Sequence, residues 1–348
     1  MHLLMVIDAA RLDDDRRTLR GVARGLLDAS IEQSHILGAE DDTAPVEPIL
    51  DSVDPIATVM PSRWWRRGNQ VAMLVDRIEN QPVEAIFWSG DAAALLARDL
   101  AAHLEVPLIA DTWRLDQVQH ARRTPWVDTW VARTERIGNL LREVLKHGTV
   151  VTARPPVDLN AMTRLPDTRP SMVILDPGGP PREAQYLVGA LGRVIEQRPD
   201  LEVFVELRSG ASHRLWQMLQ KSGLLDTVTV LDHVGALVPL VAKASVVVAP
   251  APQGPARSLI PLSMCGGAAV VAASTACDEL LIHNETALVL GPGDADTWAA
   301  ALGALLSDPP LRQRLARTGR SRATDACREE TALAAWITAI TSSTESAR

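Results

Sequence analysis

Short apolar runs alternate along the whole chain with longer segments of helical period, and this alternation constrains the fold more than any other feature. The run 2–7 is typical of a buried strand, and the segment 16–27 that follows places its apolar residues on one helical face. Strands separated by helices form parallel sheets with helices on both faces. The sequence therefore predicts an α/β protein built from Rossmann-like units.

This pattern occurs twice. In the first half, strands are predicted at 2–7, 85–88, 107–110 and 128–132, and helices at 16–27, 91–103 and 135–146. In the second half, strands are predicted at 172–175, 201–206, 228–231, 245–249, 268–272 and 287–290, and helices at 183–197, 215–222, 236–243, 259–265, 294–306, 310–318 and 327–341. The stretch 40–67 is rich in Pro, Asp and Ser, and is predicted to be a loop with one strand at 56–59.

Prolines mark the join between the two halves. Pro155, Pro156, Pro166 and Pro170 interrupt any helix there and stiffen the connection. We expect a first domain over 1–152, a second domain over 153–326, and a crossing helix and tail over 327–348. Two α/β domains joined in this way are expected to form a cleft, which is a favoured place for a small-molecule site.

Composition narrows the function classes. The 348 residues include 35 Lys and Arg against 43 Asp and Glu, and the net charge of −8 argues against a broad nucleic-acid surface. The three cysteines have no CxxC spacing, so neither a disulfide framework nor a cysteine metal cluster is expected. No apolar run approaches the ~20 residues of a membrane span, and Asp8 follows too early for a signal peptide. The sequence predicts a cytoplasmic protein with reduced thiols.

The second half contains short segments in the order and at the spacing of a known enzyme family. These segments are Pro156-Val157-Asp158-Leu159, Arg198-Pro199-Asp200-Leu201, residues 237–248, residues 264–272, Glu279 with residues 283–287, Gly293-Asp294 and residues 308–312. Over about 150–325 the chain resembles the C-terminal domain of the retaining GT-B glycosyltransferases of family four. The resemblance implies two Rossmann-like domains facing a cleft, with a C-terminal helix crossing back to the first. It also implies that the first domain binds the acceptor and the second the nucleotide sugar.

Several positions depart from that family. Its two donor-site glutamates correspond to Gly254 and Leu262, and its N-terminal Gly-Gly turn is replaced by residues 8–11. The resemblance therefore implies a donor site whose usual glutamates are replaced. The residues that it leaves to bind the donor phosphates are Arg182, Arg257, Ser258, Gly178 and Gly179. The other donor-side candidates are Glu206, Gly254 and Glu279.

Some of these positions have a second interpretation from the residues alone. Residues 253–258 lie between a predicted strand and a predicted helix. They either form an anion site at the start of the helix, or Ser258 only caps that helix. Residues 176–182 are either a phosphate-facing loop or an ordinary turn. Glu279 either faces the donor or complements a helix dipole. Glu206 ends a strand at the sheet edge where ligands of open α/β sheets bind.

The acceptor-side candidates lie in the first half. Ser89 and Asp91 follow a predicted strand, where they face the acceptor or cap the next helix. Trp64 and Trp65 precede two arginines in a predicted loop, where their indoles stack on a ligand or pack the loop on its domain. No histidine pair has the spacing of metal ligands, so no metal site is expected. No catalytic residue is assigned.

The resemblance implies transfer of a hexosyl group from a nucleotide-diphosphate sugar to an unknown acceptor, without a cofactor. The expected partners are the nucleotide sugar and a glycan, lipid or small-molecule acceptor, with no nucleic acid. A membrane surface and a protein partner are left open. The alternative is a glycosyltransferase-like binding or assembly module with a degenerate active site, because the paired glutamates are replaced.

Overall fold

The computed structural model describes residues 1–39, 45–60, 64–78, 82–158, 170–176, 181–207, 212–251, 255–273, 277, 279–291 and 294–346. The chain divides into two compact units. Unit 1 is Met1–Pro156 with Glu329–Arg348, and unit 2 is Val157–Arg328. The boundaries expected from the sequence, after residues 152 and 326, fall a few residues before these.

Unit 1 is built on a parallel sheet. Its strands are β1 (His2–Ile7), β2 (Glu32–Ala39), β3 (Ile56–Val59), β4 (Ala85–Ser89), β5 (Leu108–Thr112), β6 (Thr129–Ala132) and β7 (Thr149–Thr152). Its helices up to the join are α1 (Ala9–Asp28), α2 (Trp64–Ile78), α3 (Ala94–Leu104), α4 (Leu115–Ala121) and α5 (Glu135–Val144). Within the described residues, the strand order is β3-β2-β1-β4-β5-β6-β7, so the order reverses between β1 and β4.

Unit 2 repeats the architecture. Its strands are β8 (Ser171–Ile174), β9 (Glu202–Glu206), β10 (Thr229–Leu231), β11 (Val246–Ala249), β12 (Ala269–Ala272) and β13 (Ala287–Val289). Its helices are α6 (Pro181–Gln197), α7 (Ser212–Lys221), α8 (Val234–Val241), α9 (Leu259–Gly266), α10 (Ala295–Ser307) and α11 (Pro309–Ala326). The strands described here run in the order β10-β9-β8-β11-β12-β13, and the order reverses between β8 and β11.

The last helix, α12 (Glu329–Ser346), packs in the core of unit 1. Trp336 is fully buried, and its ring meets Phe87 edge-to-face at 5.6 Å. Its indole Nε1 donates a hydrogen bond to the carbonyl oxygen of Arg154 at 3.2 Å. The two parallel-sheet units and the returning helix confirm the predicted fold class. Among the described residues, no helix is both long and apolar enough to cross a membrane.

Polar residues explain why some elements were not predicted. In β2, Gln33 and His35 are buried and interrupt the apolar run. The Nε2 of His35 lies 3.1 Å from Oε1 of Gln33, and Nε2 of Gln33 donates to the Ala23 carbonyl at 2.6 Å. The loop predicted to include Trp64 and Trp65 is wrong, since α2 begins at Trp64 and buries a face further along the helix.

Candidate functional site

The sheet topology of unit 2 brings the predicted donor loops to one edge. Ligands of open α/β sheets bind beyond the carboxyl ends of the strands, where the strand order reverses. The segments that follow β8 and β11 flank this point, and Glu206 ends the neighbouring strand β9. Of the residues predicted in these loops, Gly178, Gly179 and Gly254 lie outside the described residues. For Arg182, only the backbone is described, in the first turn of α6.

A buried ion pair occupies this edge. Arg257 donates from Nη1 to Oε2 of Glu206 at 2.5 Å and from Nη2 to Oε1 at 2.7 Å. The Glu206 side chain is fully buried and Arg257 is 8 % exposed. The backbone N–H of Asp176, just after β8, also donates to Oε2 of Glu206 at 2.7 Å. The pair therefore ties the ends of β8 and β9 to the segment before α9.

This pairing changes the roles expected for Glu206 and Arg257. The sequence placed them separately, one as a donor-side group and one as a phosphate ligand, but each is the other's bidentate partner. An Arg–carboxylate pair of this geometry is strong, and the same planar donor set matches a phosphate. The two residues are 51 positions apart, and no sequence spacing signals their contact. A phosphate at this edge would compete with Glu206 for the guanidinium.

For Ser258 and Glu279, the structure does not support the purely structural roles that the sequence left open. Ser258 directly precedes α9, and its side chain makes no capping hydrogen bond to that helix. Glu279 lies in a turn rather than at a helix start, so the helix-dipole interpretation is wrong. Its backbone carbonyl accepts a hydrogen bond from Nε of Arg322 on α11.

The corresponding edge of unit 1 is filled by its own side chains. Asp8 follows β1, and its carboxylate accepts hydrogen bonds from the backbone N–H of Arg11 at 2.8 Å and of Ala92 at 2.9 Å. Burial raises the pKa of Asp8. Gly90 has a φ of +105°, and a Cβ there would lie 2.2 Å from Cγ of Asp8. Asp8 thus stands where the resemblance expects a Gly-Gly turn.

A cluster of buried charges lies beside Asp8. Asp111 accepts from Arg133 Nε at 2.5 Å and Nη2 at 2.8 Å, and from the hydroxyl of Ser89 at 2.6 Å. Arg11 donates to Asp15 at 2.7 Å and to the Ser89 hydroxyl oxygen at 3.2 Å. Burial by itself raises the pKa of Asp111, but Arg133, Arg11 and the Ser89 hydroxyl together outweigh it and hold that pKa below its usual value. The sequence analysis did not find this cluster, because its members are scattered along the chain.

The acceptor-side candidates separate in the structure. Ser89 is fully buried inside the charge cluster, so it is not available to an acceptor. Asp91 is largely exposed and pairs with Arg114 at 2.7 Å. Neither Ser89 nor Asp91 caps α3 with its side chain. The side chains of Trp64 and Trp65 lie outside the description. Across the described residues, no group of three His, Cys, Asp or Glu is arranged to hold a metal ion.

Part of the second unit is similar to a known family. Residues 178–308 match the family described as "Glycosyl transferases group 1". The match lies within unit 2 and covers less than half of the chain. The matched stretch includes the segments after β8 and β11, and with them Glu206 and Arg257.

Solved structures extend the likeness of fold to both units. The Anabaena protein HepE, solved in complex with UDP and glucose, has a TM-score of 0.78 at 14% identity, covering 98% of this chain and 100% of that one. Sucrose-phosphate synthase from Thermosynechococcus elongatus has a TM-score of 0.75 at 16% identity, covering 96% and 97%. The fold is therefore of the GT-B type.

One curated relative is similar in sequence. It is an exopolysaccharide phosphotransferase of Streptomyces coelicolor, 25% identical over 194 residues. The match covers 54% of this chain but 21% of the relative, so the chain spans about a fifth of that protein's length.

Proposed function

We propose that this protein transfers a hexosyl group from a nucleotide-diphosphate sugar to an acceptor, with the donor bound by unit 2 and the acceptor by unit 1. The observation that carries this proposal is the family match over 178–308, which includes the ligand-binding edge of the second sheet. HepE, of similar fold, was solved with UDP and glucose. The resemblance to family four favours a retaining outcome, with a glycan, lipid or small molecule as acceptor.

Arg257 is the central group of the proposed donor site. In the proposal, a donor diphosphate takes over part of the fork that Glu206 now occupies, because phosphate oxygens accept from a guanidinium in the same bidentate way. Ser258 and the start of α9 offer backbone N–H groups to the same anion. The other residues that the resemblance assigns to the donor are Arg182, Gly178, Gly179, Gly254 and Glu279. Positive charge at this point stabilises the departing nucleoside diphosphate.

A second candidate is a binding or assembly module without catalysis. It is favoured by Leu262, which stands at one of the family's glutamate positions and is a buried apolar side chain of α9. The likeness to a phosphotransferase supports a third candidate, a sugar-phosphate-processing enzyme. The transferase predicts stabilisation by a nucleotide, whereas the module predicts none.

The test is a thermal-shift series with UDP, GDP, ADP and their sugar conjugates. A ligand at 100 times its Kd stabilises the folded state by about 2.7 kcal/mol, a shift of several degrees. Selective stabilisation by one nucleotide and its sugar conjugate supports the transferase. Absence of any shift at saturating concentrations refutes the donor site and leaves the module.

Variants of the ion pair sharpen the test. Arg257→Ala alone strands the buried Glu206 carboxylate and endangers folding, since breaking a buried pair costs about 3–5 kcal/mol. The double variant Glu206→Gln with Arg257→Met removes both charges and keeps the side-chain volume. It should fold and lose the nucleotide shift. Arg193→Ala, which removes an exposed arginine paired with Asp296, is the matched control and should keep it.

A further inference from the structure

A pocket of about 330 Å³ opens in unit 1, apart from the donor edge of unit 2. It lies between the sheet and helices α3 and α4, and its volume falls in the range of small-molecule sites, ~300–1,000 Å³. Asp8 and its neighbours fill the point where the strand order of this sheet reverses, so the pocket is displaced to the next strands, β4, β5 and β6. None of the groups assigned to the donor lines it.

Two indoles form one side of the pocket. Trp88 on β4 and Trp130 on β6 stand in one cross-strand row, because both pair with Ala110 of the strand between them. They therefore lie on the same face of the sheet, separated by a side chain of one carbon. Trp88 is fixed in place, since its Nε1 donates to the Gly90 carbonyl at 2.6 Å and Trp126 packs beside its ring at 5.5 Å. With that N–H used, Trp88 offers the pocket only its apolar ring.

A buried hydroxyl faces the same space. Thr112 is fully buried and lines the pocket, and its Oγ1 has no hydrogen-bond partner among the described residues. Nearly all buried polar groups are hydrogen-bonded, and an unpaired one costs free energy. A ligand hydroxyl in the pocket would satisfy it once the Thr112 side chain turns its Oγ1 toward the pocket.

The rim of the pocket carries polar and charged side chains that pair with one another. The Asp91 carboxylate is held by Arg114 at 2.7 Å and by Nε2 of Gln117 at 3.0 Å, which leaves it further acceptor capacity. Nδ1 of His120 lies 2.9 Å from the carbonyl of Asp116 and must be the donor there, so Nε2 is the acceptor in the neutral ring. Arg114 also pairs with Asp116 at 2.9 Å, and the Asp111 carboxylate that lines the pocket is paired with Arg133. The pocket therefore has no guanidinium left unpaired for an anionic ligand.

We propose that this pocket binds an uncharged sugar residue, with an apolar ring face on Trp88 and Trp130 and hydroxyls on Thr112, Asp91 and His120. A pyranose combines these two requirements, whereas a flat aromatic ring leaves the Thr112 hydroxyl unpaired and an anionic sugar meets no unpaired cation in the pocket. If the proposed transfer also holds, the bound sugar is part of the acceptor. Binding itself does not depend on a nucleotide.

The experiment measures binding to the full chain without nucleotide, by saturation-transfer NMR and titration with the methyl glycosides of glucose, galactose and mannose. Glucuronic acid and phenol are the contrasting probes. We expect saturation of ring C–H protons for at least one neutral glycoside, and weaker binding of both contrasting probes. No transfer to any neutral glycoside, or tighter binding of phenol or glucuronic acid, overturns the proposal.

Two variants distinguish a ligand-binding role of the pocket residues from a purely structural one. Thr112→Val keeps the shape and removes the unpaired hydroxyl, so it should weaken glycoside binding roughly three- to tenfold without lowering the Tm. Ala94→Leu fills the pocket and should abolish binding. Thr129→Val, a buried position of β6 that is not among the pocket's lining residues, is the matched control and should bind normally. Unchanged affinity in Thr112→Val refutes the assignment.

The outcome is distinguishable from that of the nucleotide series. Loss of glycoside binding with an intact nucleotide shift refutes this pocket and leaves the donor site. Glycoside binding without any nucleotide shift upholds the pocket and refutes the transferase.

Discussion

Replacing Asp111 by Asn tests the buried charge cluster of unit 1. The four most buried charges, on Arg11, Asp15, Asp111 and Arg133, sum to zero. Asn is isosteric, but it offers one acceptor oxygen where the carboxylate accepts two hydrogen bonds from Arg133. The amide N–H₂ must then face a guanidinium N–H or the Ser89 hydroxyl, and one positive charge is left uncompensated in the core.

The cost follows from that imbalance. Removing one partner of a buried ion pair costs about 3–5 kcal/mol, a large part of the ~5–15 kcal/mol that holds a domain folded. For a unit of this size, each kcal/mol corresponds to about 2–4 °C in Tm, so Asp111→Asn should lower the Tm of unit 1 by roughly 6–20 °C.

The assay is urea unfolding followed by tryptophan fluorescence. Seven of the nine tryptophans lie in unit 1, so the signal reports mainly on that unit. Asp51→Asn is the matched control, because Asp51 is 93% exposed and lies 3.8 Å from Arg20. It should change the free energy of unfolding by less than ~0.5 kcal/mol. A loss below about 1 kcal/mol in Asp111→Asn would refute the reasoning.

Three further predictions concern unit 1. Burial lowers the pKa of His35 from 6.5 to about 4, so the unfolded chain binds the proton more readily than the folded one. The free energy of unfolding should therefore fall by up to about 3 kcal/mol as the pH drops from 6.5 to 4. Urea titrations should find a flatter pH dependence in His35→Gln. Gly90→Ala should cost more than Gly223→Ala in calorimetry, because both residues have positive φ but only Gly90 faces the Asp8 carboxylate; equal costs would contradict the clash. Trp336→Ala should cost about 3–5 kcal/mol in urea unfolding, since the ring is fully buried against Phe87; a cost near zero would show that α12 does not complete the core.

The sequence determined the class of fold because hydrophobic period is a local property. Each apolar run followed by an amphipathic segment specifies one strand and one helix, and the strand predicted at 201–206 is β9 within one residue. The resemblance to family four indicated which loops bind the donor, and the pattern placed those loops after parallel strands, at the carboxyl edge of the sheet. Where polar residues entered the core, as Gln33 and His35 do in β2, the local signal was lost.

Tertiary structure alone decided which side chains meet. Glu206 and Arg257 become partners because β9 and the segment after β11 flank β8, and strand order is not written in the spacing of either residue. Likewise, Ser89 was predicted on the acceptor side, but it hydrogen-bonds Asp111 because β4 and β5 are neighbouring strands. Pairing of buried charges depends on distances across a sheet, and a chain fixes those distances only after its strands have taken their order.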